Sequence, residues 1–173
     1  WVNESDHRPA MTRPPAAPTP ADQQRLALLI EAEAIQLGEF VALLEREEAL
    51  LTAGDTDALL TLTQDKNERY RRLQRLSDDR ALLLGRLGRV TSDTTLRELL
   101  ADLPRVLARW DEVIGLARQA SERNAINGKL ILERMAHNQA ALSALLAAAD
   151  QPPLYDAEGH TRAVGGGRML GSA

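Results

Sequence analysis

The sequence predicts an all-α protein: an elongated antiparallel helical hairpin packed on one long C-terminal helix, with flexible segments at both ends. Leucine and alanine make up about a third of the 173 residues, and aromatic side chains make up only 3%. So few aromatic residues cannot fill the core of a sandwich or a barrel, and a leucine- and alanine-rich chain favours helices over strands. Leucines also recur every seven residues, which is typical of helices that pack along their whole length.

The composition excludes several classes of function. The chain has no cysteine, which excludes disulfides, thiolate metal sites and cysteine nucleophiles. Its net charge of −4 argues against a general nucleic-acid-binding protein, which usually has a basic excess. No apolar run is long enough to span a membrane, and residues 1–15 lack the apolar core of a secretory signal. We therefore expect a cytoplasmic protein that neither binds nucleic acid nor inserts into a membrane.

The first helix is predicted over about 20–53, after a proline-rich arm at residues 1–19 that we expect to be disordered. Thr19 suits the N-cap and Pro20 suits the first helical position. Gly54 suits the left-handed residue that ends a helix. The helix carries a narrow apolar stripe, composed of Leu26, Ile30, Leu37, Phe40, Val41, Leu44 and Leu51.

The second helix is predicted over about 56–87, with Asp55 as its N-cap and Gly88 after its end. Because the connection is so short, the two helices must lie antiparallel. The apolar stripe of the second helix is composed of Leu59, Leu62, Leu73, Leu76, Leu83 and Leu87, and it is interrupted by Lys66, Arg69 and Arg80.

Antiparallel pairing about the Gly54 turn brings Arg69 near Glu39, and Arg75 near Glu33. We expect the long basic side chains to form ion pairs at the edge of the stripe. The alternative interpretation is a basic site for an anionic ligand.

Two further helices are predicted in the C-terminal half. A short helix over about 93–102 has Ser92 as its N-cap, and Pro104 begins a long helix over about 104–149. The long helix carries a stripe with alternating steps of three and four residues: Leu103, Leu107, Trp110, Ile114, Ala117, Ser121, Asn124, Gly128, Ile131, Met135, Asn138, Leu142, Leu145 and Ala149. Prolines and glycines exclude a regular helix over 150–173, so we expect a flexible tail.

Residues that could support catalysis are scarce. Glu133 and His137 lie four residues apart on one helix face, but the repeated Glu-x-x-His spacing of a di-iron bundle is absent. We interpret this pair as a surface pair and expect no metal site. There is no nucleophile elbow, phosphate-binding glycine loop or zinc-protease motif, so we expect neither an enzyme nor a cofactor.

The middle of the long helix is unusual because Ser121, Asn124, Gly128 and Asn138 occupy stripe positions where leucine would bury more surface. A glycine inside a helix costs about 1 kcal/mol relative to alanine. One interpretation is that the polar residues fix the register of packed helices. The other is that this stretch faces a partner, as a broad apolar surface suggests: Ile126, Leu130, Ile131, Leu132, Met135, Leu142, Leu145 and Leu146.

Three features together resemble the FlgN family of flagellar type III export chaperones. They are Asn124-Ala-Ile-Asn127-Gly128 with Leu130-Ile131, then Asn138-Gln139-Ala-Ala-Leu142, then Pro153-Leu154-Tyr155-Asp156-Ala157-Glu158-Gly159. The resemblance is most specific over residues 120–162. The first two helices match only as amphipathic helices that end near Leu-Leu-Thr-Ala-Gly-Asp, and the proline-rich arm is not a family feature.

The resemblance implies a small cytoplasmic chaperone for hook–filament junction proteins, which delivers them to the flagellar export apparatus. It places client binding on the last helix, with candidate residues Asn124, Ile126, Asn127, Leu130, Ile131, Met135, Leu142 and Leu145. It also implies that a tail motif composed of Leu154, Tyr155, Asp156 and Gly159 docks on the cytoplasmic domain of the export gate. The alternative is a structural coiled-coil adaptor or self-associating bundle without a client, and a homodimer is compatible with either function.

Overall fold

Residues 16–149 are described in a computed structural model of the chain, and they form four α-helices. α1 spans Pro20–Ala53, α2 spans Thr56–Arg86, α3 spans Asp93–Leu99 and α4 spans Pro104–Ala149. No strand occurs in this part of the chain. The all-α prediction is therefore confirmed. Most of the predicted arm and the whole of the predicted tail lie outside the described residues.

Local side chains set the helix boundaries that the sequence predicts. At the start of α1, Thr19 Oγ1 accepts a hydrogen bond from the Asp22 backbone N–H at 3.2 Å, and the Asp22 carboxylate accepts one from the Thr19 N–H at 3.0 Å. This reciprocal pair is a capping box. Gly54 ends α1 with a left-handed φ of 77°. Asp55 and Ser92 then accept hydrogen bonds from the first turns of α2 and α3.

The short helix α3 differs from its predicted bounds. It ends at Leu99, whereas the sequence predicted a helix to about residue 102. Leu100 follows with a fully buried side chain, and its carbonyl accepts a hydrogen bond from the Leu103 N–H at 2.8 Å. After Leu100, the Ala101 and Leu103 N–H groups donate to carbonyls only three residues back, so tight turns replace the last predicted turn of the helix.

The chain divides into two compact units, one ending at Ile131 and the other beginning at Leu132. The first unit contains α1, α2, α3 and the first part of α4. Its main apolar cluster is composed of Leu26, Ile30, Ala34, Leu83, Leu84, Leu96, Leu99, Leu100, Trp110 and Val113. A second apolar cluster is smaller and is composed of Phe40, Val41, Leu44 and Ala120.

One of the two predicted ion pairs between α1 and α2 is confirmed. Arg69 pairs with Glu39, as predicted. The pairing of Arg75 with Glu33 is wrong, because Arg80 Nε donates to both carboxylate oxygens of Glu33 at 3.0 and 3.2 Å, and Arg75 is exposed. Arg80 lies seven residues after Leu73 and seven before Leu87, so it shares their face and reaches the interior of the first unit.

The buried stripe of α4 also differs from the predicted one. Its buried residues are Trp110, Val113, Ala120 and Asn127, whereas the predicted stripe positions Ser121 and Asn124 are exposed. Because Ala120 is small, α4 packs at this position against the large α1 side chains of the second apolar cluster. Asn127 is buried because α1 supplies hydrogen-bond acceptors to its amide.

Candidate functional site

The C-terminal part of α4 presents a series of exposed apolar side chains. Every residue from Ile131 to Ala149 is exposed in the structure. The large apolar residues among them are Ile131, Leu132, Met135, Leu142, Leu145 and Leu146. Single exposed apolar residues are common on protein surfaces, whereas a contiguous set on one helix is a candidate interaction surface.

Four of the predicted client-binding residues in the first unit are at least partly accessible. Asn124 and Ile131 are exposed. Ile126 is 49% exposed. Leu130 is half-buried. A binding partner can therefore reach all four without any change in the packing of the first unit.

The other predicted client-binding residues lie in the second unit and are all exposed. Met135 is 62% exposed and Leu145 is 69% exposed, and Leu142 is similarly accessible. Met135 and Leu142 are seven residues apart, and Leu145 follows three residues later, so all three share one helix face. We name the exposed residues Leu132, Met135, Leu142, Leu145 and Leu146 the distal apolar face.

Asn127 differs from the other predicted residues because it is fully buried in the first unit. Its Nδ2 donates to the Leu44 carbonyl oxygen at 2.9 Å and to Glu47 Oε2 at 2.8 Å. The Glu47 carboxylate is also buried and accepts two hydrogen bonds from Lys66 Nζ, at 3.1 and 2.9 Å. The amide thus joins α4 directly to α1, and Glu47 connects it to Lys66 of α2. No partner can contact the amide while this packing lasts.

The polar cluster of Asn127, Glu47 and Lys66 was not predicted from the sequence. A signal for it is present, since Val106, Val113, Ala120 and Asn127 follow one another at exact seven-residue spacing. The interruption of the α2 stripe by Lys66 is the matching signal on the hairpin. The partner of Lys66 and the burial of Glu47 both depend on how the three helices pack, because the antiparallel register that pairs Arg69 with Glu39 places Ala42 opposite Lys66.

A second polar contact holds α4 near its start, at Trp110. Trp110 Nε1 donates to Asp93 Oδ1 at 2.7 Å, and Arg97 Nε donates to Asp93 Oδ2 at 2.8 Å. These hydrogen bonds, first from Arg97 and then from Trp110, lower the pKa of Asp93. The Arg80 guanidinium lies over the Trp110 ring, 4.9 Å from its centroid. The indole is therefore held by charged groups from both α2 and α3.

The structure offers no site for a metal ion in the part that it describes. Within residues 16–149 no group of three or more potential ligands comes together around Glu133 and His137 or elsewhere. None of the four described helices is long and apolar enough to cross a membrane. The predicted tail motif of Leu154, Tyr155, Asp156 and Gly159 lies outside the described residues.

Comparison with known proteins gives one finding. The sequence model of the FlgN family, described as FlgN protein, matches residues 22–163. This match covers most of the chain, including α1 from Asp22 onward, the other three helices and the tail motif. No curated protein and no solved structure matches the chain.

Proposed function

The chain belongs to the FlgN family, and we propose that it is a cytoplasmic chaperone that binds hook–filament junction proteins and delivers them to the flagellar export apparatus. FlgN proteins are flagellar export chaperones and are not known as enzymes. The observation that carries the proposal is the distal apolar face, which is exposed along the end of α4. It offers a binding surface and no catalytic group.

The chemistry of the distal apolar face suits an amphipathic helix of a client. Leucine and methionine side chains dominate it, and flexible methionine adapts to different apolar partners. A terminal segment of a junction protein that is unfolded before assembly can bury its apolar residues here, at the cost of ordering its backbone. Exposed Ile126 and Ile131 and half-buried Leu130 offer further apolar surface in the first unit.

The proposed binding is tested by mixing the chain with a purified junction protein and measuring the mass of the complex by light scattering. We expect a stable heterocomplex with the wild-type chain. Leu142→Glu with Leu145→Glu places two charges on the distal apolar face and should weaken binding by at least about 100-fold, since burying an unpaired charge is costly. The helical signal and melting temperature should not change, because both side chains are exposed.

Leu60→Glu is the matched control. Leu60 lies on α2, outside the proposed surface, and is 70% exposed, and the two leucines of the test variant are exposed as well. Its replacement also puts a charge in place of an exposed leucine. Equal loss of binding by the control and by the α4 variant would contradict the assignment of the surface. Homo-oligomers without any heterocomplex would instead favour the self-associating bundle.

We further propose that Tyr155 contacts the cytoplasmic domain of the export gate. The support is the family resemblance of the tail motif and the place of this tyrosine after two prolines, which cannot continue the long helix. A short anchor with one aromatic and one leucine side chain gives a weak contact suited to hand-over, because ordering the tail offsets part of the burial.

Tyr155→Ala tests the anchor in a binding assay with the isolated gate domain. We expect at least about tenfold weaker binding to the gate, which corresponds to about 1.4 kcal/mol. Client binding and melting temperature should stay unchanged. A drop of several degrees in melting temperature would instead place the tyrosine ring in the core of the protein, and the anchor proposal would be wrong.

A further inference from the structure

The contact between α1 and α4 changes in character along its length. Near the start of α4, Trp110 and Val113 belong to the main apolar cluster. Further along, Ala120 is the buried α4 residue of the second apolar cluster. At Asn127 the contact is polar, and no side chain over 128–149 is buried. Apolar packing thus holds one end of the contact. The other end is held by the buried amide, next to partly exposed ion pairs of Arg123 with Glu45 and Glu48.

We propose that Asn127, Glu47 and Lys66 form a polar latch from which residues 120–131 of α4 detach and locally unfold in a reversible way, while the segment around Trp110 stays docked. The latch is a conformational device of the chain itself and does not depend on the proposed client. Opening exposes the surface of α1 around Phe40 and Leu44, which Ala120 and Asn127 cover in the closed state.

Opening leaves no buried charge without a partner. Glu47 and Lys66 lie on α1 and α2, so their two hydrogen bonds persist when α4 moves away. The Leu44 carbonyl belongs to the regular hydrogen bonding of α1 and also keeps that interaction. The cost of separating a buried ion pair, which is large in proteins, is therefore avoided.

Asn127 itself gains hydrogen bonds on opening. In the closed state its Oδ1 is buried and has no hydrogen-bond partner among the described residues. A buried acceptor without a partner destabilises the packed state, and water satisfies it once the helix opens. Trp110 behaves in the opposite way, because opening there breaks its bond to Asp93 and exposes a large apolar ring. We therefore expect α4 to separate from α1 first at Asn127, while the contact at Trp110 stays closed.

Hydrogen exchange of the full chain, followed by mass spectrometry, tests the latch. Asn127→Leu replaces the amide with an apolar side chain of similar length, and we expect exchange over 120–131 to slow by at least about tenfold. Asn124→Leu is the matched control, because Asn124 is an exposed amide on the same helix. The control should not change exchange in this segment, and neither variant should change exchange over 104–116.

Asn127→Asp tests the opposite direction, since it places a carboxylate beside buried Glu47. We expect exchange over 120–131 to become at least about tenfold faster, while exchange over 104–116 stays within about twofold of the wild type. Equal responses to Asn127→Leu and Asn124→Leu would overturn the latch. So would faster exchange over both segments in Asn127→Asp, or loss of folding in Asn127→Leu, because Asn127 would then be a structural residue of the whole unit.

Discussion

At the scale of single residues, Arg80 and Glu33 form a buried ion pair between α2 and α1. Both side chains are largely inaccessible, and Arg80 also covers the Trp110 ring. Removing one partner of such a pair leaves an uncompensated charge in the interior, which costs far more than losing a surface ion pair. The pair therefore ties α2 to both α1 and α4 at one point.

Arg80→Ala should lower the free energy of unfolding by about 3 kcal/mol, because Glu33 would remain buried without a partner. Urea denaturation measures this change. Arg72→Ala is the control, since Arg72 pairs with Glu68 on the exposed face of α2 and its loss should cost less than about 1 kcal/mol. Replacing both Arg80 and Glu33 with methionine should recover most of the loss. Equal effects of the two alanine variants would contradict this account.

Asp93 gives the chain a predictable response to acid. Its pKa is lower in the folded chain than in the unfolded chain, because Arg97 and Trp110 donate to its charged form. Its stabilising contribution is therefore present above the ordinary aspartate pKa of about 3.9 and is lost as the pH falls through the lower folded value.

Asp93→Asn should lower the melting temperature at pH 7, and the difference from the wild type should shrink as the pH falls below about 4. Thermal melts across this range measure the effect. Asp102→Asn is a suitable control, because Asp102 is an exposed aspartate in the turn before α4. A difference between wild type and Asp93→Asn that does not change with pH would argue that the charge of Asp93 is unimportant.

At the scale of the elements, a glycine inside α1 and the glycine that ends it differ in their effect on stability. Gly54 adopts a left-handed conformation with φ of 77°, which an L side chain rarely adopts. Gly38 lies inside the helix, and an added Cβ would meet no atom within 4 Å. The same substitution should therefore change stability in opposite directions at the two positions.

Gly54→Ala should destabilise the chain by about 1–2 kcal/mol, because the left-handed conformation is strained for alanine. Gly38→Ala should stabilise it by about 0.5–1 kcal/mol, because alanine is the better helix former and has room. Melting temperatures of the two variants measure both effects. A loss of stability in Gly38→Ala as large as that in Gly54→Ala would contradict the conformational argument.

Apart from the end of α3, the helix boundaries could be predicted because they depend on local chemistry. Thr19, Gly54, Asp55 and Ser92 act on neighbouring backbone groups, which the sequence contains directly. The buried stripe of α4 could not be predicted to the exact residue, because Asn127 is buried by acceptors on α1 that are distant in the sequence.

The candidate site was predictable to a similar extent. The sequence placed Met135, Leu142 and Leu145 in a stripe and left open whether this stretch packs or faces a partner, and in the structure all three are exposed. Glu33 pairs with Arg80 and not with Arg75. The antiparallel register predicts which residues lie at the same height along the hairpin, but the pairing also depends on which side of α2 faces α1. The client-binding and gate-docking roles of individual residues remain predictions.

At the scale of the whole molecule, folding and binding are expected to depend on different parts of the chain. The apolar clusters lie entirely within the first unit, which ends at Ile131. Residues 132–149 contribute no buried side chain. A chain that ends after Ile131 should therefore melt within a few degrees of a chain that ends after Ala149.

The same truncation should abolish binding of a junction protein, because it removes the distal apolar face. Circular dichroism melts and light scattering of the mixture measure the two properties on the same samples. A much less stable truncated chain would mean that residues 132–149 support the fold. Unchanged binding would place the client surface within the first unit.

The distance along the chain between α1 and α4 has a consequence for synthesis on the ribosome. The turn at Gly54 lets α1 and α2 zip together from neighbouring residues as soon as both have emerged. The α1 surface that receives Trp110 and Ala120 must then wait for α4, and the roughly 35 residues between the end of α2 and Ala120 take several seconds to translate. During this interval the nascent hairpin presents an uncovered leucine-rich surface. The time for which this surface is open to aggregation therefore depends on the speed of elongation.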